Sequence, residues 1–348
     1  MTKKITFKDK LIGCDIKLNE IANKTVMITG ATGLIGKTLA TSLLTLSESE
    51  RLGIKLILPI RSRKRLCRFL SDEEKRGNVS LVECDLVDFN GKCEAVDYII
   101  HCASITESKK MVENPVEVTK ANVCGTINIL EYAKACNVKS CVYLSSMEAY
   151  GFSVEDTVLS EEKMQYLNPL EVRSCYPESK RMAENICISY FSEYVVPTKI
   201  VRLAQTFGKG VEPNDKRVFA EFGRCAVKGQ DIVLLTDGAS ARMYVDVEDA
   251  VVAILAVLLK GENGKAYNVA NKDTYCSIAQ MASIVAENIG KGKISVRHTI
   301  SDNGVEHFSP THKFYLDTSR IEQIGWKPYT DLIGMFKNMI SDWNSSTL

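Results

Sequence analysis

Long hydrophobic runs are missing from this chain of 348 residues: no stretch reaches the roughly 18–20 apolar residues that a membrane-spanning helix needs. The first residues, Met1-Thr2-Lys3-Lys4-Ile5, are polar and lack the apolar core of a signal peptide. Charge of one sign is missing too. A net charge of +1 leaves no electrostatic footprint for nucleic acid. Only four histidines are present, and no Cys-x-x-Cys pair, so a zinc site is not expected. Cysteine itself is abundant, with twelve residues. They are scattered, several inside apolar strand-like runs (Cys102, Cys141) or helical patterns (Cys124, Cys187), where Cys acts as a small hydrophobe. The expectation is reduced thiols in a cytoplasmic protein.

What is present is ordinary globular material, 45% apolar and 25% charged, in a chain long enough for one large α/β unit or two domains. The first half alternates strand-like runs with helical patterns. Val26–Ile28, Ile54–Leu58, Val79–Val82, Tyr98–His101 and Cys141–Leu144 read as strands, with helices over Leu34–Leu46 and Val116–Ala135. This alternation predicts a doubly wound parallel sheet of the Rossmann type. Lys199–Leu203 and Ala266–Val269 read as later strands, and Ile278–Ile289 and Leu332–Trp343 as amphipathic helices. The expected division is a dinucleotide-binding domain of residues 1–200, to which 245–272 contribute. An interwoven, smaller substrate domain of 201–244 and 273–348 completes it. Residues 1–23 read as a short polar or amphipathic extension without a legible role.

Val26-Met27-Ile28-Thr29 runs into Gly30-Ala31-Thr32-Gly33-Leu34-Ile35-Gly36. A buried strand entering a glycine loop that opens a helix is a dinucleotide site. Gly30 permits the tight turn, Gly33 lets backbone approach a pyrophosphate at the helix N-terminus, and Gly36 lets helix and sheet pack closely. An acidic residue at the end of the second strand binds a ribose diol, whereas Arg accommodates a 2′-phosphate. Here Arg61, Arg63, Lys64 and Arg65 crowd that end without an acid, which favours NADP(H) over NAD. Further along, Ser145-Ser146-Met147-Glu148 precedes Tyr176-Pro177-Glu178-Ser179-Lys180. Tyr and Lys four apart on a helix share one face. An ammonium there lowers the phenol's pKa, making a general acid/base for hydride chemistry at an alcohol carbon, and a Ser hydroxyl shares the proton. His101, on an apolar strand, reads as a satisfied core residue rather than a catalyst.

Glycine loop, Ser146 and Tyr176-x-x-x-Lys180, in this order, resemble the extended short-chain dehydrogenases/reductases, and within them the nucleotide-sugar epimerase/dehydratase/decarboxylase group. The resemblance implies that Gly30, Gly33, Leu34, Ile35 and Gly36 hold the cofactor diphosphate. Asp85-Leu86 matches the family's adenine-contacting pair, and His101-Cys102-Ala103-Ser104 the strand beneath the nicotinamide ribose. Asn122 to Thr126, Tyr267-Asn268-Val269 and Leu316 to Pro328 carry further landmarks. On the substrate side, Arg242 matches the Arg that grips the sugar-nucleotide diphosphate, and Arg217 the stretch that holds the nucleotide. Gln205 stands where the family usually has Asn. An ion pair of Arg242 with Asp246 or Glu248 is the alternative for that residue.

Placed against the family, the catalytic set is Ser146, Tyr176, Lys180 and Glu148. Glu148 falls where dehydratases and UDP-glucuronate decarboxylases have a Glu. Met147, however, occupies the slot of the dehydratases' Asp proton donor, and a thioether cannot donate a proton. Three readings stay open: an epimerase or dehydratase acting on a nucleotide-linked sugar, an NADPH-dependent reductase of a nucleotide-linked keto sugar, and a catalytically silent NADP(H)-binding protein. The apolar face of the Tyr176 helix resembles the family's dimer face and implies a homodimer.

Overall fold

The computed structural model describes residues 5–152, 157–299 and 312–346. Its centre is a seven-stranded parallel sheet: β1 (Thr25–Thr29), β2 (Lys55–Ile60), β3 (Val79–Glu83), β4 (Tyr98–His101), β5 (Ser140–Ser146), β6 (Thr198–Leu203) and β7 (Ala266–Val269). The strand order is 3-2-1-4-5-6-7, the doubly wound arrangement that the strand–helix alternation implied. These strands are mostly apolar and, β3 apart, buried along nearly their whole length, because helices cover both faces and leave no solvated side to call for alternation. The chain order reverses at β1/β4, and ligands of such sheets bind at the carboxyl ends beside that switch.

Two long helices lie on one face and carry the site. Pro115–Cys136 has its Pro at the first helical position, where the missing N–H costs nothing, and ends on Asn137 in the left-handed conformation. Cys175–Tyr194 packs along it. Val247–Lys260 lies on the other face and is apolar nearly all round; every residue from Asp249 to Leu258 is buried, as expected of a helix with no solvent face.

A second core forms around Phe207, Phe219, Phe222, Met281, Met335 and Phe336, separate from the two clusters that flank the sheet. Its strand Ala241–Asp246 pairs with Gln205–Phe207, Lys313–Leu316 and Asn271–Ser277. It thereby hangs from the carboxyl end of β6, over the mouth of the glycine loop. None of the described helices is long and apolar enough to cross a membrane.

The N-terminal residues are not a loose extension. Thr6 caps a helix over Phe7–Gly13 through a capping box with Asp9. Leu11 and Cys14 are fully buried. Lys10, also buried, reaches Asp249 at 2.8 Å and Glu248 at 2.6 Å. Nothing in the sequence marks Lys10 for this role, because its partners lie over 230 positions away.

Candidate active site

The glycine loop is tight for a geometric reason at two positions. Gly30 has φ +70°, and a Cβ on it would come within 2.9 Å of the Ala103 backbone. A Cβ on Gly36 would sit 2.4 Å from the Gly30 carbonyl oxygen, so helix and loop could not close. Gly33 differs. A Cβ there would meet only that carbonyl, at 3.4 Å, so its outer face is open. Gly33 is also the N-cap of helix Leu34–Glu50, whose free N–H groups and positive dipole end point into the cavity.

Thr29, at the end of β1, ties the loop to β4. Its hydroxyl accepts from the Ala103 N–H at 3.0 Å and lies 2.7 Å from His101 Nδ1. The other ring nitrogen, Nε2, faces Thr126 Oγ1 at 3.2 Å, and that hydroxyl donates to the Asn122 carbonyl. Thr29 therefore donates to Nδ1 and Nε2–H donates to Thr126, a neutral tautomer assigned from its partners. Burial pushes the imidazole down to about 3. His101 is a satisfied core residue, as its apolar strand suggested. From there a rail runs to the Tyr helix: Ser104 Oγ donates to Asn122 Oδ1, Asn122 Nδ2 to Ser179 Oγ, and Ser179 Oγ to the Tyr176 carbonyl, at 2.8, 2.8 and 2.9 Å.

Tyr176 and Lys180 both lie on the first turns of Cys175–Tyr194 and are buried. Lys180 Nζ donates to the Leu144 carbonyl at 2.8 Å and sits 4.8 Å from the Tyr143 ring centre and 5.8 Å from that of Tyr176. Burial brings its ammonium down to about 8, with the Glu184 carboxylate opposing. The Tyr176 phenol departs from the expectation of a lowered pKa. Burial raises it above its ordinary value, the Glu148 carboxylate adds to the rise, and the Ser146 hydroxyl, the Arg173 cation and the Ser104 hydroxyl work against it. Desolvation of this buried phenol outweighs the two hydroxyls and the Arg173 cation that oppose it.

Glu148 faces Arg173 at 2.9 Å, in a pair about one quarter exposed. The second guanidinium nitrogen of Arg173, NH1, is buried without a partner. Met147 is packed into the main core while one side borders the cavity. Asp85 caps a short turn by accepting from the Val87 N–H, and Asn128 holds that turn by donating to the Leu86 and Val87 carbonyls.

The basic run divides. Arg63 is taken up by a two-pronged bond to Glu74 and by Glu83. Arg61, Ser62 and Arg65 line the cavity, Arg61 with Glu117 at 3.6 Å. On the far wall, Arg242 donates to Gln205 Oε1 at 3.1 Å and lies 3.0 Å from His312 Nε2, while its Nε is buried and unpartnered. The alternative pairing with Asp246 or Glu248 does not occur: Asp246 caps Glu248 N–H, and Glu248 is held by Lys10. Arg217 is bound by its own neighbour Asp215, which accepts from its backbone and its fork.

The candidate catalytic, cofactor and substrate residues border one cavity of about 1970 Å³: the glycine loop with Leu34 and Ile35, Arg61, Asp85, Leu86, Ala103, Ser104, Ser146, Glu148, Tyr176, Lys180, Gln205, Arg217 and Arg242. Sites for one small molecule run to roughly 1,000 Å³, so this one has room for a dinucleotide and a second nucleotide-sized molecule. Two wall contacts have no signal in the sequence. Arg173-Ser174-Cys175-Tyr176 resembles the decarboxylases' spacing, yet nothing in it points Arg173 to Glu148. His312, held between Phe152 and Phe314, follows a stretch without motif.

A family model described as the NAD dependent epimerase/dehydratase family matches residues 26–270. The chain belongs to this family. Its members are enzymes of the extended short-chain dehydrogenase/reductase type. Among relatives, UDP-glucuronic acid decarboxylase 1 of Xenopus tropicalis is 28% identical over 316 residues, covering 90% of this chain and 71% of its own. UDP-glucuronic acid decarboxylase 4 of Arabidopsis thaliana is 29% identical over 250 residues, 71% of this chain and 54% of its own. This epimerase/dehydratase chain thus spans between about half and seven tenths of the length of such relatives. The UDP-glucose 4-epimerase of Thermotoga maritima shares the fold, with a TM-score of 0.77 at 21% identity over 93% of this chain and all of that one.

Proposed function

We propose that this family member transfers hydride to or from a hydroxyl-bearing carbon of a nucleotide-activated sugar. The observation that carries the reading is one cavity bordered by an open phosphate cradle, by Ser146 with the buried Tyr176 and Lys180, and by Arg242 on the opposite wall. The residues fit NAD(P): Gly30 and Gly36 leave no space for a side chain, Gly33 leaves its face open, and a helix N-terminus stands behind them. When bound, the nicotinamide supplies the hydride acceptor and donor.

In this reading Tyr176 moves the hydroxyl proton at its phenolic oxygen, and Ser146 holds the sugar oxygen beside it. Lys180 stabilises the phenolate charge and anchors ribose. Glu148 is a second base or an orienting group. Arg242, whose Nε lacks a partner, grips the diphosphate with Gln205 alongside, and a forked donor suits that task. Arg217 holds the nucleotide. Gly30 to Gly36, Asp85, Leu86, Ala103 and Ser104 hold the cofactor. Arg61 and Arg65 at the cavity edge favour NADP(H) over the NAD of the family's description. The reading places the cofactor in residues 1–200 and 245–272 and the nucleotide sugar in 201–244 and 273–348, in a cytoplasmic homodimer.

Met147 favours a second reading, net reduction of a nucleotide-linked keto sugar with NADPH, because no proton donor stands where water elimination needs one. A panel of UDP-, dTDP-, GDP- and CDP-sugars, with and without NADPH, separates the two by product mass. A mass-neutral product means epimerisation, loss of water or carbon dioxide the related lyase reactions, and stoichiometric NADPH loss reduction. No conversion of any sugar, with NADP(H) still bound, favours the silent binding protein and refutes both.

A further inference from the structure

We infer that Arg173 is a positioning residue for the proton relay: it holds the Glu148 carboxylate in an ion pair and cancels that charge where it faces Tyr176. The inference rests on the proposed hydride-transfer reading and adds a residue to it.

The geometry begins with two turns that border the same cavity as the Tyr176 phenol and meet through one ion pair. Ser146 ends β5, and its side chain accepts from the Glu148 N–H at 3.2 Å, capping a short turn over Met147–Tyr150. This puts the Glu148 carboxylate at the lip of the cavity beside Ser146. A second short turn, Val172–Ser174, feeds directly into the helix at Cys175, so Arg173 leaves the backbone three residues before Tyr176. Ser174 pins that turn by donating to the Asn168 carbonyl at 2.6 Å. Arg173 NH2 then meets Glu148 Oε2 at 2.9 Å. An ion pair this exposed contributes little to stability, at most about 1 kcal/mol. Its buried, unpartnered NH1 detracts further. Stability therefore does not explain the pair, and its place beside the phenol does.

The surroundings of Tyr176 leave few other charges to set its ionisation. From the helices Ser108–Glu113 and Pro115–Cys136, Met111 and Val118 pack against it, and Ile105 from the preceding loop does the same. Ser104 and Ser146 offer hydroxyls, Tyr143 a buried phenol from the strand below, and Cys175 a thiol from the same helix. Lys180 is the cation on its own helix, tied to the Leu144 carbonyl. Glu148 and Arg173 are the remaining pair, and they act on the phenol in opposite directions, the carboxylate raising its pKa and the guanidinium lowering it. An unaccompanied carboxylate so close to a relay tyrosine penalises the phenolate. Arg173 removes that penalty while leaving the carboxylate in place for the substrate.

The test is the pH dependence of the hydride-transfer step, read in a single turnover from the nicotinamide absorbance with a nucleotide sugar that the wild type converts. Oxidation needs phenolate and reduction needs phenol, so either direction gives a midpoint that follows Tyr176. Arg173→Met, or Arg173→Gln if the methionine variant does not fold, moves that midpoint up by on the order of one pH unit. Arg173→Lys, which keeps the cation, restores it. Glu148→Gln combined with Arg173→Met returns it toward the wild-type value, because both charges are gone. A lower rate with an unmoved midpoint, or a double variant that stays shifted, overturns the assignment and leaves the hydride reading intact. A wild type that converts no nucleotide sugar removes the reading and the inference together.

Discussion

Lys180→Met separates what the buried lysine does for folding from what it does for chemistry. Its pKa falls from 10.5 to about 8 on burial, a difference equivalent to about 3 kcal/mol. The sign follows from proton counting. Between pH 8 and 10.5 the unfolded chain holds the lysine proton and the folded chain does not, so the lysine's contribution to stability rises with pH across that window. Below pH 8 the ammonium is carried in both states, and the folded protein bears the full desolvation cost. Methionine removes that cost but loses the bond to the Leu144 carbonyl and the contact with the Tyr143 ring, together about 1–2 kcal/mol. The variant is therefore more stable than wild type at pH 7 by about 1–2 kcal/mol, and the advantage disappears by pH 10.5. At about 0.7 kcal/mol per degree for a chain of this length, the gain is about 2 °C in Tm. Calorimetry of both proteins at several pH values reads the difference. Turnover of the same variant drops by about 10²-fold or more. A variant less stable than wild type by the same amount at all pH values would show that Lys180 is not carried as a strained cation, and the reasoning would fail.

Four further outcomes follow from the same geometry. Tyr176→Phe abolishes turnover while NADP(H) still binds, checked by fluorescence titration; wild-type-like turnover would sink the relay assignment. Gly36→Ala forces a methyl against the Gly30 carbonyl and lowers stability by about 1–3 kcal/mol with weakened cofactor binding, measured by denaturant melts and titration. Arg242→Lys keeps the charge but loses the fork, so KM for the nucleotide sugar rises by about tenfold or more while cofactor affinity holds. Glu184→Gln strands the buried guanidinium of Arg202, to which Glu184 gives two oxygens at 3.0 and 2.6 Å, and costs about 3–5 kcal/mol in a denaturant melt.

The parts of this molecule that were legible from sequence are those whose partners are local. The β1 loop is one contiguous segment, and its glycines can be assigned from φ and close approach alone. The strands were found within one to two residues at most ends because a parallel sheet covered on both faces needs continuous apolar runs. Tyr176 and Lys180 share a helix face by spacing. What stayed hidden depends on distant meetings. Arg173 and Glu148 are 25 positions apart in different turns, and Arg242 meets His312 across 70 positions. Arg217 matches a nucleotide-holding stretch, yet its fork is held by Asp215, a contact the resemblance does not show. The Tyr176 pKa rises instead of falling because burial, which sequence does not display, dominates it.

The carboxylate of Asp249 gathers both ends of the chain. One oxygen faces Lys10, and the other accepts from the backbone N–H groups of Tyr329 and Thr330, while Trp326 donates to the Asp249 carbonyl. A ribosome therefore releases the first helix long before its anchor exists, and the anchor's second set of partners emerges only after residue 330. The first hundred residues can form β-strands early, yet the helix Phe7–Gly13 waits for partners more than 230 positions later. Non-local closure of this kind slows folding and prolongs exposure of apolar surface. Shortened versions of this protein that stop before Thr330 will leave a buried aspartate without its backbone donors, and are expected to emerge as aggregates rather than as a free-standing nucleotide-binding half.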